Sequence, residues 1–171
     1  YRWDKGAWIP EPVLGDGDGG AMGGLITTRD DFARYVAFHL DAWPARDGAD
    51  NGPLKRASVR EMHQPQMFAP FSPKALQSDD KTVNPRVGFY GYGLTWTRDS
   101  QDVVTVGHSG GLPGYGSQYR FAPDHGVGVI AFTNLRYGPV YNPTSKVLAL
   151  LIEKGALPAR AVLPSPVLLA R

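Results

Sequence analysis

Serine, histidine and closely spaced glycines stand together in Gly107-His108-Ser109-Gly110-Gly111-Leu112-Pro113-Gly114-Tyr115. These are residue types that acyl transfer uses: a nucleophile, an imidazole, and backbone N–H groups that no side chain obstructs. The spacing G-x-S-x-G is met by Gly107, Ser109 and Gly111, and would place Ser109 on a sharp turn between a strand and a helix. The upstream half suits that arrangement, because Asp102-Val103-Val104-Thr105-Val106 is short and β-branched. The downstream half does not. Pro113, Gly114 and Gly116 oppose the helix that the turn requires. The acid and histidine that follow, Asp124 and His125, are neighbours in one turn, badly placed to serve as orienter and base. Ser109 is therefore read as a strand residue rather than a nucleophile.

The elements around this stretch divide the chain in two. Residues 1–24, with Pro10, Pro12 and the run Gly15-Asp16-Gly17-Asp18-Gly19-Gly20, read as loop. The alternating Gly and Asp lack the terminal Glu and flanking helices of an EF-hand calcium loop. Thr28 reads as an N-cap with Asp31 three residues on, opening a helix whose Phe32, Tyr35, Val36 and Leu40 share a face and which stops near Pro44. A weaker helix is expected over 54–64, then a proline-rich stretch from Pro65 to Pro85 long enough for a lid or surface loop. From Gly88 the period becomes two. Residues 90–97, 103–109, 116–122 and 128–133 read as four strands of an antiparallel meander. A helix over 140–154, with Val147, Leu148, Leu151 and Ile152 apolar, covers one face and ends at Gly155. Residues 156–171 read as a strapped-down or disordered tail.

Composition bounds the function. The formal charge is +2, from 18 basic and 16 acidic residues spread along 171, without the basic stripe of a nucleic-acid binder. A hydrophobic share of 42% indicates a globular piece. There are no cysteines for disulfides or thiolate metal sites, and no two of the four histidines have local metal-pair spacing, so neither metal nor other cofactor is expected. No apolar run approaches the ~20 residues of a membrane-spanning helix.

Two blocks together resemble the serine β-lactamase and penicillin-binding-protein superfamily. Gly23-Gly24-Leu25-Ile26-Thr27-Thr28-Arg29-Asp30-Asp31-Phe32-Ala33-Arg34-Tyr35 is similar to its G-G-L-x-S-T-x-x-D-L-A-R-F segment, and His108-Ser109-Gly110 to the H-x-G form of its last motif. Tyr119-Arg120-Phe121-Ala122-Pro123-Asp124, a strand ending in Thr133-Asn134, and the helix after Ser145 follow in the family's order. The resemblance implies an α+β fold, one partial domain corresponding to the superfamily's C-terminal part, with the helical side over 1–87 and the sheet over 88–155. It implies serine acyl-enzyme chemistry on an ester, D-peptide or β-lactam. His108 would polarise the leaving group or hold a substrate carboxylate, and the Gly111 backbone N–H would donate to the oxyanion. Ser109, Gly110 and Tyr115 would contact substrate. A neutral histidine in place of lysine favours an esterase-like or D-peptide-cleaving relative of the class C type. Periplasmic or secreted location follows from the resemblance alone.

The family's nucleophile, the serine of S-x-x-K, and its Y-x-N element precede the G-G-L block. The literal Ser78-Asp79-Asp80-Lys81 falls after that block in a proline-rich loop and is read as coincidence. The expected partner is thus an upstream half of the same polypeptide, without which this chain is inactive. The rival reading is a non-catalytic binding or scaffold domain of the same fold. His39 is expected as surface or core filler, and His63 and His125 as loop residues.

Overall fold

The computed structural model describes residues 1–15, 17–72 and 81–155. The chain opens with a small antiparallel hairpin, β1 (Arg2–Asp4) and β2 (Ala7–Ile9), turned at Lys5 and Gly6, whose φ values of 45° and 86° are both left-handed. A single helical turn, α1 (Gly20–Gly23), follows. Both replace the continuous loop expected over 1–24.

Helix α2 (Arg29–Asp41) begins where its cap chemistry dictates. Thr28 is extended (φ −99°, ψ 162°), and its Oγ1 accepts from Asp31 N–H at 3.1 Å, satisfying a donor that the first turn leaves open. Asp30 and Asp31 add negative charge at the positive end of the helix dipole. Thr28→Ala is expected to lower stability by about 1 kcal/mol, read as a shift in urea midpoint at unchanged slope. A short α3 (Arg56–Met62) forms within the expected 54–64 window.

The remaining strands make a six-stranded antiparallel meander in sequential order: β3 (Met67–Ser72), β4 (Arg86–Gly91), β5 (Leu94–Asp99), β6 (Val104–Leu112), β7 (Tyr115–Ala122) and β8 (Val127–Thr133). With helix α4 (Tyr141–Lys154) after it, the architecture is α+β as expected. Two details differ from the sequence reading. Residues 90–97, taken as one strand, are a hairpin: Gly91 pairs with Leu94 across Tyr92 and Gly93, at φ 53° and 73°. Such a turn matches strand twist, but a tyrosine in left-handed backbone gives no sequence signal for it. Strand β3 lies inside the stretch read as a proline-rich loop. It is an edge strand, and its register shifts between Ala69 and Ser72, around Pro70, which has no N–H to give to a ladder. The central part of that stretch, residues 73–80, and the tail 156–171 lie outside the described residues, as does Ser78 of the literal S-x-x-K.

Alternation sorts the sheet's two faces. Val106, Phe121, Leu94 and Trp96 point to one side, where Val36, Phe32 and Leu40 of α2 and Met62 of α3 complete the core. Thr97, Thr105 and Arg120 point to the other, under α4, which buries Thr144 and Leu148. Of the four apolar residues expected to line the α4 face, Leu148 is fully buried, while Val147 and Leu151 are exposed.

The α2–α3 interface holds a buried polar chain that the sequence reading missed. His39 and His63 are 0% and 2% exposed: His39 takes the core place that was one of its two expected settings, and His63 lies in the turn that caps α3, as a loop residue would, but buried. His39 Nδ1 lies 2.8 Å from His63 Nε2, and Trp43 Nε1 lies 2.8 Å from His63 Nδ1. An indole nitrogen only donates, so His63 Nδ1 accepts, His63 Nε2–H donates to His39 Nδ1, and the His39 proton sits on Nε2. That last N–H is buried without a partner.

Candidate active site

His108 is placed by the middle of β6, opposite Tyr119 of β7. Its Nδ1 lies 2.6 Å from the Ser109 carbonyl oxygen, and its Nε2 lies 3.1 Å from Tyr90 Oη. A carbonyl only accepts, so Nδ1 carries the proton of the neutral ring and Nε2 accepts from the Tyr90 hydroxyl. Tyr90 comes from β4, two strands away, and its register partner on β5, Thr95, pairs with Gly107, the residue before His108. The two rings meet edge to face at 5.8 Å. No carboxylate contacts His108 among the described residues; its surroundings are phenols. Tyr119 is hydrogen-bonded to Tyr35, and its pKa is raised above the ordinary tyrosine value, first by burial and then by Tyr35 and Tyr90.

Beyond His108, β6 has one open edge. Pairing with β5 ends at Gly107 opposite Thr95, whereas pairing with β7 continues to Leu112. Asp99 N–H donates to Val103 O at 3.2 Å, and Thr95 Oγ1 donates to Gly107 O at 2.7 Å. Strand alternation then turns the backbone groups of Gly107, Ser109 and Gly111 toward the β5 side. For Ser109 and Gly111, no described strand fills that side.

Gly111 and Gly107 are required by close approach. A methyl on Gly111 would come 2.1 Å from Tyr137 Cδ1, because the Tyr137 ring lies over its Cα. Tyr137 is 64% exposed and is tied back by its N–H to Tyr115 O at 3.1 Å. A methyl on Gly107 would come 2.1 Å from the backbone oxygen of Tyr119, and one on Gly23 would sit 3.4 Å from Leu112 Cδ2. That distance places Gly23, the last residue of α1, beside Leu112 at the end of β6, joining in space two segments far apart in sequence.

His108, Ser109, Gly110, Gly111 and Tyr115 therefore share the distal part of the β6–β7 hairpin, where Ser109, Gly110 and Tyr115 are exposed. Ser109 points to the face opposite His108 by alternation. The stretch after Gly111 is a turn and a strand, not a helix. Asp124 and His125 follow the other end of β7, six residues beyond Gln118, the register partner of Ser109, which is about 20 Å of strand. Among the described residues Ser109 has no triad. Tyr90 and Tyr137 were not anticipated as neighbours of the site. The contact of Tyr90 depends on strand order, which residue types do not reveal, and Tyr137 follows Thr133-Asn134 in a loop without a motif of its own.

Among the described residues no group of three His, Asp or Glu side chains could hold a metal ion, and no helix is long and apolar enough to cross a membrane. No curated protein and no solved structure matches the chain. The family model described as Beta-lactamase matches residues 1–154, the span from the N-terminal hairpin to the end of α4. On that match, with the meander and the H-x-G strand in the family's order, the chain belongs to the Beta-lactamase family.

Proposed function

We propose that this chain forms one wall of the acyl-transfer site of a β-lactamase-related serine hydrolase, and that the nucleophile is the serine of an S-x-x-K motif outside residues 1–171. The observation that carries the reading is His108, held in one tautomer by Ser109 O and Tyr90 at the point where β6 loses its β5 partner. An acyl carbonyl lying against that open edge has the Gly111 N–H to stabilise its oxyanion. His108 faces the leaving group, with Ser109, Gly110 and Tyr115 around the bound acyl chain. A neutral imidazole offers a substrate carboxylate less fixed charge than a lysine does, which favours an ester or D-peptide over a β-lactam.

Turnover of p-nitrophenyl esters by the full-length polypeptide tests the role of His108. His108→Ala is expected to lower kcat/KM by roughly 10²-fold or more. Tyr90→Phe, which keeps the ring and removes the hydroxyl, is expected to lower kcat by about 10-fold with KM little changed, since it frees the imidazole to rotate. An unchanged kcat/KM in His108→Ala would remove histidine from the mechanism. Residues 1–171 alone are expected to hydrolyse neither these esters nor a chromogenic cephalosporin, and serine-dependent turnover by that piece would contradict the assignment of the nucleophile.

A further inference from the structure

The face of the sheet away from His108 carries a second polar site. Arg120 projects from β7 beneath α4 and is 4% exposed. Its Nη1 donates to Thr97 Oγ1 at 3.0 Å and Thr105 Oγ1 at 2.7 Å, and its Nη2 donates to Tyr141 Oη at 3.3 Å. The Tyr141 ring lies 5.2 Å from Cζ. Hydroxyls and a π-face surround this cation, with no carboxylate contact among the described residues. Burial is the largest influence on Arg120 and lowers its pKa; Tyr141 works the other way, and Arg86 adds to the lowering.

A guanidinium has five N–H donors. Three are engaged, and Arg120 Nε–H is buried without a partner. The Ser145 hydroxyl of α4 is likewise buried and unpartnered. Both residues line a cavity of about 60 Å³ between the sheet and α4, with Asn84, Arg86, Thr97 and Leu148 also on its walls. Asp99 borders the same space but is committed elsewhere: Oδ1 accepts from Gln101 N–H and Val103 N–H, and Oδ2 from Asn84. Glu153 stands at the rim, on the exposed last turn of α4.

A buried cation without a counter-ion is costly, and a charge-assisted hydrogen bond to an oxyanion is among the strongest available to it. We propose that this pocket binds one small tetrahedral oxyanion of phosphate or sulfate size, anchored by Arg120 and capped by the Ser145 hydroxyl. The space suits several waters, hence one such ion and not a nucleotide. The ion first meets the unused Nη2–H; a small rotation of the guanidinium and of Ser145 brings in the two unpartnered groups. Occupancy would tie α4 to β5, β6 and β7 on the side opposite the candidate active site.

The test is a titration of the 171-residue chain with inorganic phosphate, sulfate and acetate in separate runs, at ionic strength held constant with chloride, following the arginine Nε–H resonances by NMR. The Arg120 resonance is expected to shift saturably with phosphate and sulfate, with a Kd of roughly millimolar order. Acetate is expected to bind at least several-fold more weakly. Arg120→Gln is expected to abolish saturation. Ser145→Ala, which removes a hydroxyl that bonds nothing, is expected to fold normally and weaken binding by roughly 3-fold to 10-fold. A shift linear in added salt and matched by chloride, an immobile Arg120 resonance, or an unchanged Kd in Ser145→Ala would each overturn the site.

Discussion

Acidification from about pH 7 to about pH 4 is expected to remove roughly 6 kcal/mol of stability through His39 and His63. Burial lowers the pKa of His39 to about 4, and burial together with the neighbouring His39 lowers that of His63 to about 3. Both folded-state values lie below the ordinary histidine value of 6.5, so the unfolded chain binds more protons than the folded one across that interval. Stability is therefore fully present above about 6.5 and declines as pH falls toward the folded-state values. The geometry explains why protonation is refused. Trp43 already donates to His63 Nδ1, His63 donates to His39 Nδ1, and an added proton on either accepting nitrogen would set two donors face to face. The rings of Tyr35, Phe38 and Phe121 around the pair supply no counter-charge.

Carboxylates elsewhere also titrate in this range, so the comparison that isolates the pair is with the double variant His39→Leu/His63→Gln, in which the introduced glutamine keeps an acceptor for Trp43. That variant is expected to be about 1–3 kcal/mol less stable near pH 7 and to lose distinctly less on acidification. Urea midpoints across the interval provide the measurement. Parallel pH curves for the two proteins would contradict the assignment.

The second large effect falls on Gly111. In the full-length polypeptide, Gly111→Pro in a Tyr137→Ala background is expected to lower kcat by about 10²- to 10³-fold with KM little changed. Two structural features shape that expectation. The Tyr137 ring occupies the space a Cβ would need, so the background substitution is necessary. By alternation the Gly111 N–H faces the open edge and not the ladder with β7, so proline removes the proposed oxyanion donor and no sheet hydrogen bond. Gly111→Ala in the same background retains the N–H and should keep most of the activity. If Gly111→Pro folds and turns over normally, the donor is another group.

The sequence made visible what depends on local chemistry. The Thr28 cap fixes the start of α2, and the β-branched alternation of 103–109 and 128–133 marks strands that the sheet contains. The order of blocks around Gly23 and His108 led to the family that the match over residues 1–154 supports. Local chemistry was silent where distant segments decide. Tyr92 adopts left-handed backbone inside what reads as one strand, because the β4–β5 pairing compels it. Pro70 disguises β3, which survives as an edge strand. His39 and His63 are 24 residues apart, and only the packing of α2 against α3 makes them a pair. The Tyr90–His108 contact has the same origin, spanning two strands of the sheet.

The most direct measurement is the intact mass of the full-length polypeptide before and after a fluorophosphonate and, separately, a penicillin, with peptide mapping of any adduct. A stoichiometric adduct on a serine outside residues 1–171 is the result expected of an acyl-enzyme mechanism in which this chain supplies the oxyanion wall. Reaction with penicillin as well would bring β-lactams or D-peptides into the substrate class. An adduct on Ser109, or no adduct with either reagent, would contradict that account, the first by restoring a nucleophile to β6 and the second by making the chain a non-catalytic member of its family.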